Sequence, residues 1–213
     1  MTIIYGASLS PFVRKVLAVA AEKGIAINHQ PIGLGSKDPD FRAASPFGKI
    51  PALRDGDFTL ADSSAIVHYW EALHPSPALL PADPQLRGRV VWFDECADTV
   101  LVPVFAKLFF NRVVAPRFMK RPGDLAAAEK AEADEVPPLV DWLEAQLPAT
   151  AWLLGDAITL ADIAMASPFV NLAHAGWQLD AARWPGVAAW LGRVLARPSL
   201  AGLVAAEQRM LAA

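Results

Sequence analysis

The chain reads as a small α/β half followed by an all-helical half. Three observations carry this. Short strand-like and helix-like pieces alternate up to about residue 75. Four prolines then fall in residues 74–84, where a helix cannot run through them. From Gln85 onward nothing reads as a strand.

Thr2–Tyr5 is β-branched and aromatic and predicts a strand. Pro11–Lys23 predicts a helix, with Val13, Val16, Leu17 and Ala20 on one face and Gly24 as terminator. Ile25–Ile32 predicts a second strand, and Gly33–Ser45 a loop rich in Gly, Ser, Asp and Pro. Ala52–Leu60 predicts a hairpin, because Asp55-Gly56 sits between two short apolar runs. Asp62–Leu73 predicts a helix. A crossover helix between the first two strands pairs them in parallel, and the hairpin adds an antiparallel edge. This order fits a thioredoxin-like half-domain. Beyond the prolines, helices are predicted over Arg87–Phe118 with a bend at Pro103, and over Leu125–Leu147 with a break near Pro137-Pro138. Further helices follow over Leu160–Ala175, Trp184–Ala196 and Ser199–Leu211. The organisation is thus a domain at 1–76, a linker at 77–84 and a helical domain at 85–213.

Composition narrows the function. With 54% hydrophobic and 19% charged residues the chain can bury a large core. A net charge of −3 argues against a broad nucleic-acid footprint, which needs clustered basic residues. The single Cys96 excludes an internal disulfide and a Cys-only metal site, and its helical surroundings suit a buried structural thiol. The first residues lack the pattern of a signal peptide, and apolar stretches are broken by Pro, Lys, Arg or Asp before spanning length. A soluble, cytoplasmic protein without a membrane segment is expected. There is no Gly-rich phosphate loop, His-Glu-x-x-His or Gly-x-Ser-x-Gly, and the four histidines lack ligand spacing, so no metal is expected.

Four local motifs remain. Ser10 stands before Pro11, as an N-cap before a first-turn proline. Its hydroxyl can accept a helix N–H while donating outward, at a helix end that favours negative charge. Arg14, one turn on, suits either a surface ion pair or a place near an anion. In Gly48-Lys49-Ile50-Pro51, a cis Pro51 would open the Ile50 backbone to an extended peptide, with Lys49 adding charge; a trans proline in an ordinary loop is the simpler alternative. Asp62-Ser63 starts a helix by capping, and the same groups can hold a carboxylate and an ammonium. Thr159 and Asp162 have capping-box spacing and read as structural.

Together, over essentially the whole chain, these features resemble the cytosolic glutathione S-transferases. Leu108-Phe109-Phe110-Asn111-Arg112-Val113 is similar to a segment of bacterial members. The resemblance implies glutathione as co-substrate, with Ser10 facing its thiol and a cis Pro51 placing Ile50 against the cysteinyl backbone. Asp62 and Ser63 match the acidic-Ser pair at the γ-glutamyl end, although the acid is usually Glu. Lys49, assisted by Lys37, matches the glycyl carboxylate. A hydrophobic electrophile would lie against Phe105, Leu108, Phe109, Arg112 and Phe118. The resemblance also implies a two-fold homodimer. Ser rather than Cys at position 10 points to conjugation rather than thiol–disulfide exchange. A non-catalytic ligand-binding or interaction protein of the same fold is the alternative.

Overall fold

The computed structural model describes residues 1–33 and 35–212. β1 (Thr2–Tyr5) is the hub of a four-stranded sheet of order β2-β1-β3-β4. It pairs in parallel with β2 (Ile27–Gln30), Thr2 opposite Ile27, and antiparallel with β3 (Ala52–Asp55), Tyr5 opposite Ala52. β4 (Phe58–Ala61) closes the hairpin around Gly56. β2 is shorter than its apolar run suggests. The Ile25 N–H is used by the Ala20 carbonyl at the end of α1 (Pro11–Glu22), and Pro31 has no N–H to continue the ladder.

The predicted loop at Gly33–Ser45 contains a helix, α2 (Pro39–Ala44). Asp38 caps it, accepting the Phe41 N–H at 2.9 Å. Phe41 is fully buried against Tyr5 on one face of the sheet. α3 (Ser63–Leu73) covers the opposite face with α1 through Val13, Val16, Leu17, Ile66, Val67 and Trp70.

The proline-rich stretch is tied down. Lys23 Nζ donates to the His74 and Pro77 carbonyls at 2.8 and 2.7 Å and pairs with Glu71 at 2.6 Å. Glu71 in turn accepts the Leu79 and Leu80 N–H groups, both at 3.3 Å. Leu79 and Leu80 thereby enter the core.

The first long helical run comprises α4 (Pro84–Cys96), a wide π-type turn at Ala97–Leu101, α5 (Val102–Phe109) and a second wide stretch at Phe110–Phe118. The next is α6 (Leu125–Lys130), a wide turn at Ala131–Glu135 and α7 (Val136–Gln146). Each wide turn contains a proline or ends two residues before one: Pro103, Pro116 and the pair Pro137-Pro138. A proline cannot donate the regular i→i−4 bond, so the ladder slips by one residue and continues. Contrary to expectation, Pro84–Phe118 contains a stretch apolar and long enough by composition to cross a membrane. Its Val90, Phe93, Ala97, Leu101, Phe105 and Leu108 instead pack into the core.

α8 (Leu160–His174) is the central pillar, buried from Leu160 to Leu172, and α9 (Pro185–Leu195) and α10 (Pro198–Ala212) close around it. The Asp162 carboxylate accepts the Thr159 N–H, the Leu153 N–H and Trp190 Nε1–H, all at 2.9 Å, and the Thr159 hydroxyl at 3.2 Å. Cys96 is partly buried against the core, and burial raises its thiol pKa.

Candidate active site

β1 is followed by Gly6, whose φ of +140° and tight surroundings exclude a side chain: a Cβ there would lie 2.6 Å from Val13 Cγ2. The chain can therefore turn beneath Ile50 into α1. The Ser10 N–H closes a tight turn on the Ala7 carbonyl at 3.0 Å. Ser10 has the extended backbone of an N-cap, φ −72° and ψ 128°. Its Oγ accepts the Val13 N–H only at 3.5 Å, a marginal bond, so the hydroxyl is lightly committed to the helix.

Ser10 opens into a cavity of about 660 Å³ between the two halves. Lys49 and Ile50 line one side, and the Ile50–Pro51 bond is cis. Phe105, Phe109 and Phe118 line the other. Leu108 and Arg112 do not line it. Leu108 points into the helical core, and Arg112 pairs with Glu132 and donates to the Ala175 carbonyl at 3.4 Å. The helical period decides this: Val102, Phe105, Ala106 and Phe109 share one face of α5, and Leu108 lies on another. Lys37 is exposed outside the lining.

Asp62 and Ser63 start α3 outside that lining. Asp62 holds a φ of +83°, unusual for a non-glycine residue, while its carboxylate accepts the Ser64 N–H at 2.9 Å. Beside them stands a charged cluster that motif reading missed. Lys15 Nζ lies 2.7 Å from Asp94 and 2.8 Å from Asp98. The Ser64 hydroxyl donates to Asp94 at 2.7 Å, and the Ser63 hydroxyl approaches Asp98 at 3.5 Å. Burial is the main cause of an Asp98 pKa of about 6; Lys15 opposes it, and Asp94 and Asp62 add to it.

Arg14 fits neither expectation. It is fully buried, and Glu207 of α10 receives its Nε and Nη2. Asn171 of α8, which also lines the cavity, receives its Nη1. Tyr5 is buried in the sheet, and burial raises its phenol pKa.

Comparisons with known proteins bear on this arrangement. The family model for the glutathione S-transferase N-terminal domain matches residues 4–78, and that for the C-terminal domain matches residues 126–193. Glutathione S-transferase 3 of Zea mays is 37% identical over 209 residues, covering 95% of this chain and 93% of the relative. The solved apo form of glutathione S-transferase III superposes with a TM-score of 0.79 at 34% identity, covering 96% of each chain. A glutathione S-transferase from Rhodospirillum rubrum F11 superposes with a TM-score of 0.86 at 25% identity, covering 95% of this chain and 91% of that one. With both family domains matched and relatives similar in sequence and fold over most of its length, the chain belongs to the glutathione S-transferase family.

Proposed function

We propose that this glutathione transferase holds the glutathione thiolate at the Ser10 hydroxyl and delivers it to a hydrophobic electrophile in the adjoining cavity. The observation that carries this is the lightly committed Ser10 hydroxyl, opening onto walls that are otherwise mostly aromatic and aliphatic. The Ile50 backbone pairs with the cysteinyl unit, and Lys49 and Lys37 serve the glycyl carboxylate. Ser63, through its N–H and hydroxyl, and Asp62 serve the γ-glutamyl end. Asp98, beside Ser63, adds negative charge for its ammonium.

The energetics close without a general base. A free thiol has a pKa of about 8.5, and lowering it by about two units requires about 2.7 kcal/mol. One hydrogen bond from Ser10 to the thiolate contributes about 1.5–3 kcal/mol. The N-terminus of α1 adds about 0.3–1 kcal/mol. The largely apolar lining of the cavity suits a hydrophobic acceptor. The exposed aromatic side chains of Phe47 and Trp92 favour a homodimer, and the apolar face of Pro84–Phe118, turned into the protein's own core, favours a cytoplasmic protein over a membrane one.

The test is Ser10→Ala, assayed with glutathione and chlorodinitrobenzene. Glutathione KM is expected to stay within about twofold, while kcat falls by about 10–100-fold and the bound thiol pKa rises. Unchanged kcat and thiol pKa would remove Ser10 from the role.

A further inference from the structure

Ser10 lies in the first half of the chain, yet the peptide groups on both sides of it are held by the second. Asn171 Nδ2 donates to the Leu9 carbonyl at 2.8 Å. The Ser167 hydroxyl donates to the Pro11 carbonyl at 2.7 Å. Both side chains come from α8, four residues apart and therefore on one face. The Leu9 carbonyl precedes the N-cap and is outside the helical ladder, so Asn171 satisfies a buried group that α1 cannot.

Arg14 fixes the orientation of this pair. Its Nη1 donates to Asn171 Oδ1 at 2.9 Å, to the Ser167 carbonyl at 2.8 Å and to Ser167 Oγ at 3.2 Å. A guanidinium only donates, so it takes the oxygen end of the Asn171 amide and leaves the NH2 end for Leu9. It likewise takes a lone pair of Ser167 and leaves the hydroxyl proton for Pro11. Arg14 is anchored by a fork of bonds to Glu207, and Glu207 is braced by His174 Nε2 at 2.9 Å. Arg14, Ser167, Asn171 and Glu207 are each at most 3% exposed.

Resting on the assignment of Ser10 above, we infer that Asn171 and Ser167 are positioning residues for the Ser10 hydroxyl, oriented by Arg14. Arg14 lies one turn beyond Ser10 and does not reach the thiol; it acts through α8. Docking of the two halves thus sets where the Ser10 proton points. A shift of about 1 Å at a reacting centre can cost about 100-fold in rate, so two held carbonyls suffice to matter.

Two variants separate position from stability. Asn171→Asp keeps an oxygen for Arg14 and loses the donor to Leu9. Ser167→Ala keeps its backbone carbonyl for Arg14 and loses the donor to Pro11. Each is measured beside Ser10→Ala and in the corresponding double variant, by kcat, glutathione KM and ultraviolet titration of the bound thiolate. The expected result for folded Asn171→Asp is a kcat lowered about 10-fold, a raised thiol pKa and a KM within about twofold. Added to Ser10→Ala, it is expected to cost less than about twofold, because its effect passes through a hydroxyl already removed. Asn171→Asp and Ser167→Ala proteins with unchanged kcat and thiol pKa, while Ser10→Ala is impaired, overturn the inference alone. An equal loss in the presence and absence of Ser10 also overturns it. If Ser10→Ala is itself unimpaired, the Ser10 assignment falls and this inference with it.

Discussion

At the scale of the residue, three helices among the described residues start with a capping side chain followed by proline, and they differ. Asp38 and Asp83 accept their N–H groups at 2.9 and 2.8 Å, whereas Ser10 does so at 3.5 Å. Ser10 therefore contributes least as a cap. Ser10→Ala is expected to cost less than about 1 kcal/mol in urea unfolding, despite its large loss of turnover. The position was legible because a cap is written in adjacent residues. Asp98 was not, since its contact with Lys15 joins positions 83 apart. Its raised pKa gives a signed expectation. The folded protein holds the proton more tightly than the unfolded chain, so this group's contribution to stability is present at low pH and is lost as pH rises from the ordinary carboxyl value to about 6. Glutathione affinity runs the other way, because only ionised Asp98 attracts an ammonium. KM for glutathione is expected to rise as pH falls through about 6. Asp98→Asn should raise KM about 10-fold at neutral pH and flatten that dependence. A KM profile that Asp98→Asn leaves unaltered assigns the dependence to another group.

At the scale of the element, local chemistry foretold most boundaries. Asp38-Pro39 carries the same start signal as Ser10-Pro11, but the six-residue helix that follows is too short to show a 3.6-residue pattern. Its stability comes from Phe41 under the sheet, a contact sequence does not display. The prolines at 103 and 137–138 marked disturbed helix, but a widened turn rather than a break follows from packing: α8 holds both flanks of the first, while α5 packs on α6 and on the wide turn at Ala131–Glu135, and α9 packs on α7. Of the five predicted acceptor residues, Phe105, Phe109 and Phe118 reached the cavity; a hydrophobic helix shows which residues are apolar before it shows which face meets which neighbour. At the start of α8, the capping motif does more than its spacing suggests, because Asp162 also receives Leu153 and Trp190. Asp162→Ala strands several buried donors and is expected to destabilise by about 3–5 kcal/mol, while Asp162→Asn, which keeps one acceptor oxygen, falls in between. A loss below about 1 kcal/mol in urea unfolding would mean that these donors find other partners.

At the scale of the molecule, most of the charged contacts between the halves come from one helix. Within α1 and its cap, Arg14 reaches Glu207, Lys15 reaches Asp94 and Asp98, Glu22 reaches Arg197 and Ser199, and Lys23 holds the connecting segment. Glu22 is pushed up by burial, yet bonds from Arg197 and Ser199 prevail and leave it below the usual carboxyl value. Burial likewise opposes the charge on Lys15, and its two carboxylates more than offset this, so its pKa is raised. The Lys15 contribution therefore persists through neutral pH and is lost only above the ordinary lysine range. Buried pairs of this kind add little net stability over apolar contacts, but removing one partner strands the other. They also admit one docking geometry, the geometry that sets Ser10. Lys15→Ala leaves Asp94 buried and unpaired and is expected to cost about 3–5 kcal/mol, whereas Lys15→Ala with Asp94→Leu should recover most of it. Because the pair spans the halves, both should lose stability together. Fluorescence of Trp70, the single tryptophan of the first half, and of the six in the second reports each separately, once the other set is replaced by Phe. Coincident urea transitions that shift together in Lys15→Ala are the expected result. A first-half transition that moves while the second stays fixed would show that α1 belongs energetically to its own half alone.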